Sequence, residues 1–247
     1  MSIESSADLD GMRQVGRITR LTLDALERHV HVGVSTADLD VIAEAMFAKH
    51  GARSAPAVVY GFPGNVLISV NDEVVHGVPG PRRLNRGDLV KLDVTVEKDG
   101  YIADAARSVV IGSGTDTARR LIACVRAAFR AALAVARAGT RVNAIGRAVE
   151  QEVCRHGFTV VQGLSGHGVG RTIHEEPPVP NHYDPWQRDV LTEGLVLTIE
   201  PMVSAGSAQA IQDGNGWTIR TRDGSLSAHH EHTLVITREH PLILTAA

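Results

Sequence analysis

The sequence has little of what marks several common protein classes. Its 247 residues include only two cysteines, Cys124 and Cys154, both in helical patterns and with no Cys-x-x-Cys pair. That excludes a disulfide framework and fits a reducing, cytoplasmic compartment. Long apolar runs are missing too. None approaches the roughly 18–20 residues that span a bilayer, so no membrane insertion is expected. Neither sign of charge dominates: 25 Lys and Arg against 28 Asp and Glu leave a net charge of −3. Electrostatics therefore gives no case for nucleic acid or an anionic membrane as partner. The opening MSIESSADLD is acidic and polar, unlike a secretory signal. What remains is ordinary globular usage, 43% hydrophobic and 21% charged, enough for a sizeable core. The unusual component is twelve histidines, several beside glycine or glutamate.

The segment KLDVTVEKDGYIADAARSVV, residues 91–110, reads as two alternating strands around Asp99-Gly100, a strong hairpin signal. With that dipeptide at the tip, Lys98 pairs with Tyr101, Asp93 with Ala106 and Thr95 with Asp104. The two aspartates then become diagonal neighbours on one face, roughly 7–8 Å apart between backbones. Two readings fit: a solvated acidic face, or a pair of like charges that invites a cation.

Apolar spacing predicts an N-terminal helix over residues 6–30 and a second from Ser35-Thr36 to Gly51. Short strands and turns are expected from Ala57 to Pro79, ahead of the hairpin. Helices follow over about 116–138 and 142–156, the latter closed by Gly157. That order repeats. GVSTADLDVIAEAMFAKHG aligns with GTRVNAIGRAVEQEVCRHG, and GDLVKLD with EGLVLTIE, which carries Asp93 onto Glu200. Asp99-Gly100 before Asp104 matches Asp223-Gly224 before Glu231, and VVHGVP with His76 resembles TIHEEP with His174. A near-constant offset that carries acids onto acids indicates an internal duplication. The expected architecture is α+β: one catalytic domain spanning 1–247, with half-repeats at about 30–112 and 137–240 and no linker between them.

The repeat unites four carboxylates, Asp93, Asp104, Glu200 and Glu231. Glu200 sits in the apolar strand LVLTIEP, where a buried carboxylate needs a partner. Four such groups converging would carry a charge that two divalent ions cancel. Oxygen donors with one imidazole suit Mn, Fe, Co or Zn. The candidate imidazole is His167 in SGHGVGR. The glycine-rich GHGVG lacks the Lys-Ser/Thr of a phosphate loop. In His229-His230-Glu231-His232, strand alternation leaves only His229 on the face of Glu231.

The stretches GFPGNVLISVNDEVVHGVP, GDLVKLDVTVEKDGYIADAARSV, GHGVGRTIHEEP, GLVLTIEPM and GWTIRTRDGSLSAHHEHTLVIT together resemble the type I methionine aminopeptidases of pita-bread fold. The resemblance covers nearly the whole chain. It implies removal of the initiator methionine from nascent proteins with a small second residue, by dinuclear-metal-activated attack of water. It also implies that Asp93, Asp104, His167, Glu200 and Glu231 bind two divalent ions, Asp104 and Glu231 touching both. Glu200 would relay the nucleophile's proton. His76 and His174 would contact the substrate, and Phe62, Leu67 and Trp217 would line the methionine slot. The expected partners are nascent N-termini, with a transient ribosome contact, and the expected state is a monomer. Ala105-Ala106 replace the family's usual Thr-Ser/Ala, His229 replaces its glutamine, and Val59 and Leu67 stand where tyrosine and cysteine are common. Two other readings share the fold. Proline-directed peptidases usually add an N-terminal domain, and binding modules that have lost ligands do not keep all five. The stretch from His167 to Glu200 is too short for the insert of type II enzymes.

Overall fold

The computed structural model describes residues 1–246. Along the chain, α1 (Ser6–His29) and α2 (Thr36–His50) precede β1 (Arg53–Ser54), α3 (Ala55–Tyr60), β2 (Leu67–Val70), β3 (Glu73–Val75), β4 (Leu89–Lys98) and β5 (Tyr101–Val110). Then α4 (Asp116–Val135) and α5 (Asn143–Arg155) precede β6 (Thr159–Val160), β7 (Ser165–Gly168), β8 (Glu175–Pro180) and β9 (Val196–Ile199). The remaining strands are β10 (Met202–Ser204), β11 (Ala210–Gln212), β12 (Ile219–Thr221), β13 (Ser227–His229), β14 (Glu231–Val235) and β15 (Leu242–Ile243).

The main sheet runs β1-β4-β5-β14-β9-β7-β8, with β2 also on β4 and β15 on β14. Two small sheets, β13-β10-β6 and β11-β12-β3, flank it. The β4–β5 hairpin has the register expected from its tip: Lys98 opposite Tyr101, Asp93 opposite Ala106, Thr95 opposite Asp104. Asp99 and Gly100 both have positive φ, 52° and 79°, as a two-residue turn that follows strand twist requires. Period-two alternation sorts β4 by face. Val90, Leu92, Val94 and Val96 are fully buried in the core formed with α1 and α2, while Lys91, Asp93 and Thr95 alternate with them on the opposite face. A second core packs α4 and α5 under β9 and β14.

Local chemistry explains the helix ends. Ser35 caps α2 with a reciprocal bond to Asp38, and Gly51 closes it in the left-handed region at φ 59°. Thr115 caps α4 by accepting from Ala118 N–H. Two segments depart from expectation. Helix α4 stops at Val135 rather than 138, because the Ala138 N–H donates to Thr237 and the Gly139 N–H to Leu191. Residues 57–60, read as strand and turn, belong to the six-residue helix α3 between a Ser54 cap and Gly61. It is too short to show helical periodicity.

Candidate active site

Five neighbouring strands each contribute one donor to a single cavity of about 550 Å³. Asp93 is on β4, Asp104 on β5, Glu231 on β14 and His167 on β7, while Glu200 directly follows β9. The two aspartates are diagonal neighbours in the β4–β5 ladder, and Glu231 pairs with Ala106 of β5. Asp93–His229–Glu231 and Asp104–His167–Glu231 each offer ligand atoms within 4.8 Å of one another. His167 Nε2 lies 3.4 Å from Glu200 Oε1. Its Nδ1 is 2.9 Å from the Gly168 carbonyl, which can only accept, so in the neutral ring Nε2 is bare. The glycines beside His167 serve strand packing. A Cβ on Gly166 would meet the Thr198 carbonyl at 2.6 Å, and one on Gly168 the Glu176 carbonyl at 2.3 Å.

All four carboxylates are buried, and among the described residues none pairs with lysine or arginine. Burial, with the mutual repulsion of neighbouring acids, holds Asp93, Glu200 and Glu231 well above the usual carboxylate range. Burial also raises Asp104, to about 6, against lowering bonds from Thr95, Asp93 and Ala105. The buried Lys91 donates instead to Asn71 O, 2.7 Å away, and to Ser227. Asp93 Oδ1, Asp104 Oδ1 and Glu231 Oε1 are buried without a hydrogen-bond partner. Buried polar atoms are normally paired. Acid groups that repel one another, retain unused lone pairs and face one bare imidazole nitrogen are a donor set suited to divalent cations.

His76, His174, Phe62, Leu67 and Trp217 join the five donors in lining this cavity, whereas Val59, Ala105, Ala106 and His229 are not part of its lining. Phe62 and Trp217 meet edge to face, ring centroids 5.3 Å apart, and Leu67 pairs directly with Asp93 across β2 and β4. His76 has φ 59°, a backbone conformation costly for a non-glycine residue and often kept at functional sites. Burial pushes the imidazolium pKa of His76 and His167 down to about 4 and also lowers that of His174. All three rings are therefore neutral near pH 7. The alternation read around Glu231 is present: His230 and His232 pack on Phe129 of α4, while His229 faces the acids.

Sequence reasoning missed three supporting residues. The fully buried Thr198 accepts from the His167 N–H and donates to Glu200 Oε1 at 2.8 Å. Thr233 bonds both the N–H and the carbonyl of Asp104, clamping β5 to β14. Tyr60, at the end of α3, has its hydroxyl 2.6 Å from His174 Nδ1. The signals available were the threonine two residues before Glu200, the threonine two after Glu231, and the Ser54-to-Gly61 helix frame.

Residues 10–238 match metallopeptidase family M24. The chain is 42% identical over 247 residues to methionine aminopeptidase 2 of Bacillus subtilis, covering 99% of both chains. It is 40% identical over 243 residues to a methionine aminopeptidase of Clostridium perfringens, covering 98% of each. The crystal structure of a methionine aminopeptidase from Thermotoga maritima matches with a TM-score of 0.96 at 32% identity, both chains covered in full. A prolidase from Pyrococcus furiosus matches at a TM-score of 0.80 and 22% identity over 65% of its length, which shows a shared fold alone. The α+β pita-bread fold expected from the sequence is the fold observed.

Proposed function

The chain belongs to metallopeptidase family M24, and on that premise we propose that it is a methionine aminopeptidase, clearing the initiator methionine from new chains whose second residue is small. The observation that carries this reading is the row of donors from five adjacent strands, opening directly onto the apolar Phe62–Leu67–Trp217 slot. Asp93, Asp104, His167, Glu200 and Glu231 would hold two divalent ions, of Co, Mn, Fe or Zn. Such ions supply Lewis acidity and make water acidic enough to attack near neutral pH.

The protein's own groups do the rest. Glu200, its Oε1 held by the Thr198 hydroxyl at 2.8 Å, takes the nucleophile's proton and passes it to the leaving amine. A donating Tyr60 hydroxyl leaves the His174 proton on Nε2, free to bond the scissile carbonyl oxygen as charge develops. His76 faces the same region and contacts the scissile amide. The slot takes an unbranched apolar side chain and rejects charged ones, which would be buried unpaired. We also propose one catalytic domain built of two halves, acting as a monomer in the cytoplasm on nascent N-termini and meeting the ribosome transiently. The test is hydrolysis of Met-Ala-Ser, Met-Lys-Ser and Xaa-Pro peptides by metal-reconstituted protein. Cleavage of Met-Ala-Ser is expected; cleavage of the Xaa-Pro peptides alone overturns the assignment.

A further inference from the structure

His229 has no part in the five-donor set, yet its position is built with care. It ends β13, and Ser108 bonds both of its backbone groups: the His229 N–H donates to Ser108 Oγ at 2.9 Å, and that hydroxyl donates to the His229 carbonyl at 2.7 Å. The ring is 1% exposed, and neither of its nitrogens has a hydrogen-bond partner. A neutral imidazole always carries one N–H and one bare nitrogen, so burial with both unpaired is costly. Its Nε2 lies 3.7 Å from Glu200 Oε2 and 3.7 Å from Glu231 Oε2. That is too long for a hydrogen bond. It is, however, the spacing two donors take when each sits roughly 2.1 Å from one ion between them. Asp93, Glu231 and His229 offer atoms close enough together to share such an ion.

We propose that His229 is a second imidazole ligand of the metal centre, binding on the Asp93 side as His167 does on the Asp104 side. This rests on the metallopeptidase reading above and adds one donor to it. Replacing an oxygen or water donor by imidazole favours borderline ions such as Zn and Co over Mn. The site would therefore be more selective for Zn over Mn than one with glutamine at this position.

The test uses the full chain labelled with nitrogen-15 histidine and loaded with cadmium-113, whose direct coupling to nitrogen reports ligation rather than proximity. Two coupled ring nitrogens are expected in the wild type and one in His229→Gln. In parallel, the preference for Zn over Mn, measured by competition with a chromophoric chelator, should fall by on the order of 10-fold or more in the variant. A single coupled nitrogen in the wild type overturns the proposal and leaves the five-donor reading standing. No coupled nitrogen overturns both. Should His229→Gln fail to fold, His76→Ala and His174→Ala keep the count decisive: among the described residues His167 and His229 are the histidines grouped with the carboxylates, so both variants should retain two coupled nitrogens, and loss of one in either overturns the proposal.

Discussion

Thr198→Val should weaken metal binding without removing a ligand, and the size of the effect can be worked out from two bonds. The Thr198 hydroxyl is the partner of the His167 N–H where the β7 ladder is irregular, and it donates to Glu200 Oε1. Valine keeps the shape and deletes both bonds. The unpaired N–H costs about 1–3 kcal/mol, felt as lower thermal stability of the metal-free protein. Residues that orient ligands are typically worth 10- to 100-fold in metal affinity. The sign of the pH dependence follows from Glu200. Burial raises its pKa and the Thr198 bond opposes that rise, so the variant's Glu200 holds its proton to still higher pH. A metal must expel that proton to bind. The extra cost is complete below the wild-type pKa of Glu200 and disappears above the variant's. Chelator competition at two pH values should therefore show a wider affinity gap at the lower one. Thr198→Ser, which restores the hydroxyl, should recover most of it. Equal affinity of valine variant and wild type at both pH values would refute the argument.

Other expectations follow from single contacts. Tyr60→Phe frees His174 Nδ1 and lets the ring change tautomer; kcat should fall about tenfold with metal content unchanged, less than the 10²–10³-fold loss for deleting an oxyanion donor itself. Unchanged kcat would mean that Tyr60 does not orient His174. Leu67→Ala should widen the slot and admit bulkier first residues, with shifts of roughly 1–3 kcal/mol per methylene in kcat/KM across Xaa-Ala-Ser peptides; an unchanged profile removes Leu67 from the slot. Gly168→Ala forces a Cβ against the Glu176 carbonyl and should cost about 1–3 kcal/mol. Calorimetry should then show Tm falling by about 2–4 °C per kcal/mol.

Legibility tracked the range of the interactions. The hairpin register could be read because a two-residue turn and period-two alternation fix it locally, and the structure keeps it residue for residue. Helix ends with chemical caps, at Ser35 and Gly51, were equally visible. The end of α4 was not, because hydrogen bonds to residues far along the chain, Leu191 and Thr237, draw its last residues away. The same reason hid Thr233 and Ser108, whose roles exist only once β5 lies beside β14 and β13. Tyr60 was lost with α3. The close approach that calls for glycine on both sides of His167 was hidden too, because the atoms approached are backbone carbonyls of β8 and β9.

On the duplication proposed above, the sheet order explains why two like halves would yield an asymmetric site. Across β2-β4-β5-β14-β9-β7 the row of side chains reads Leu67, Asp93, Asp104, Glu231, Glu200, His167. The inner four are two aspartates, on β4 and β5, and two glutamates, on β14 and just after β9, with the β5–β14 seam between the pairs. An ion at that seam would draw carboxylates from both sides of it. The outer two positions differ: one arm ends in an apolar leucine, the other in an imidazole. That single difference gives the cavity a slot for a side chain at one end and a nitrogen donor at the other. With His229 entering from β13, off the main sheet, the Asp93 end gains an imidazole without giving up its leucine. Metal binding then regains the balance of the repeat while substrate binding keeps its polarity. An enzyme that must grip a charged chain terminus at one point and an apolar side chain beside it needs both.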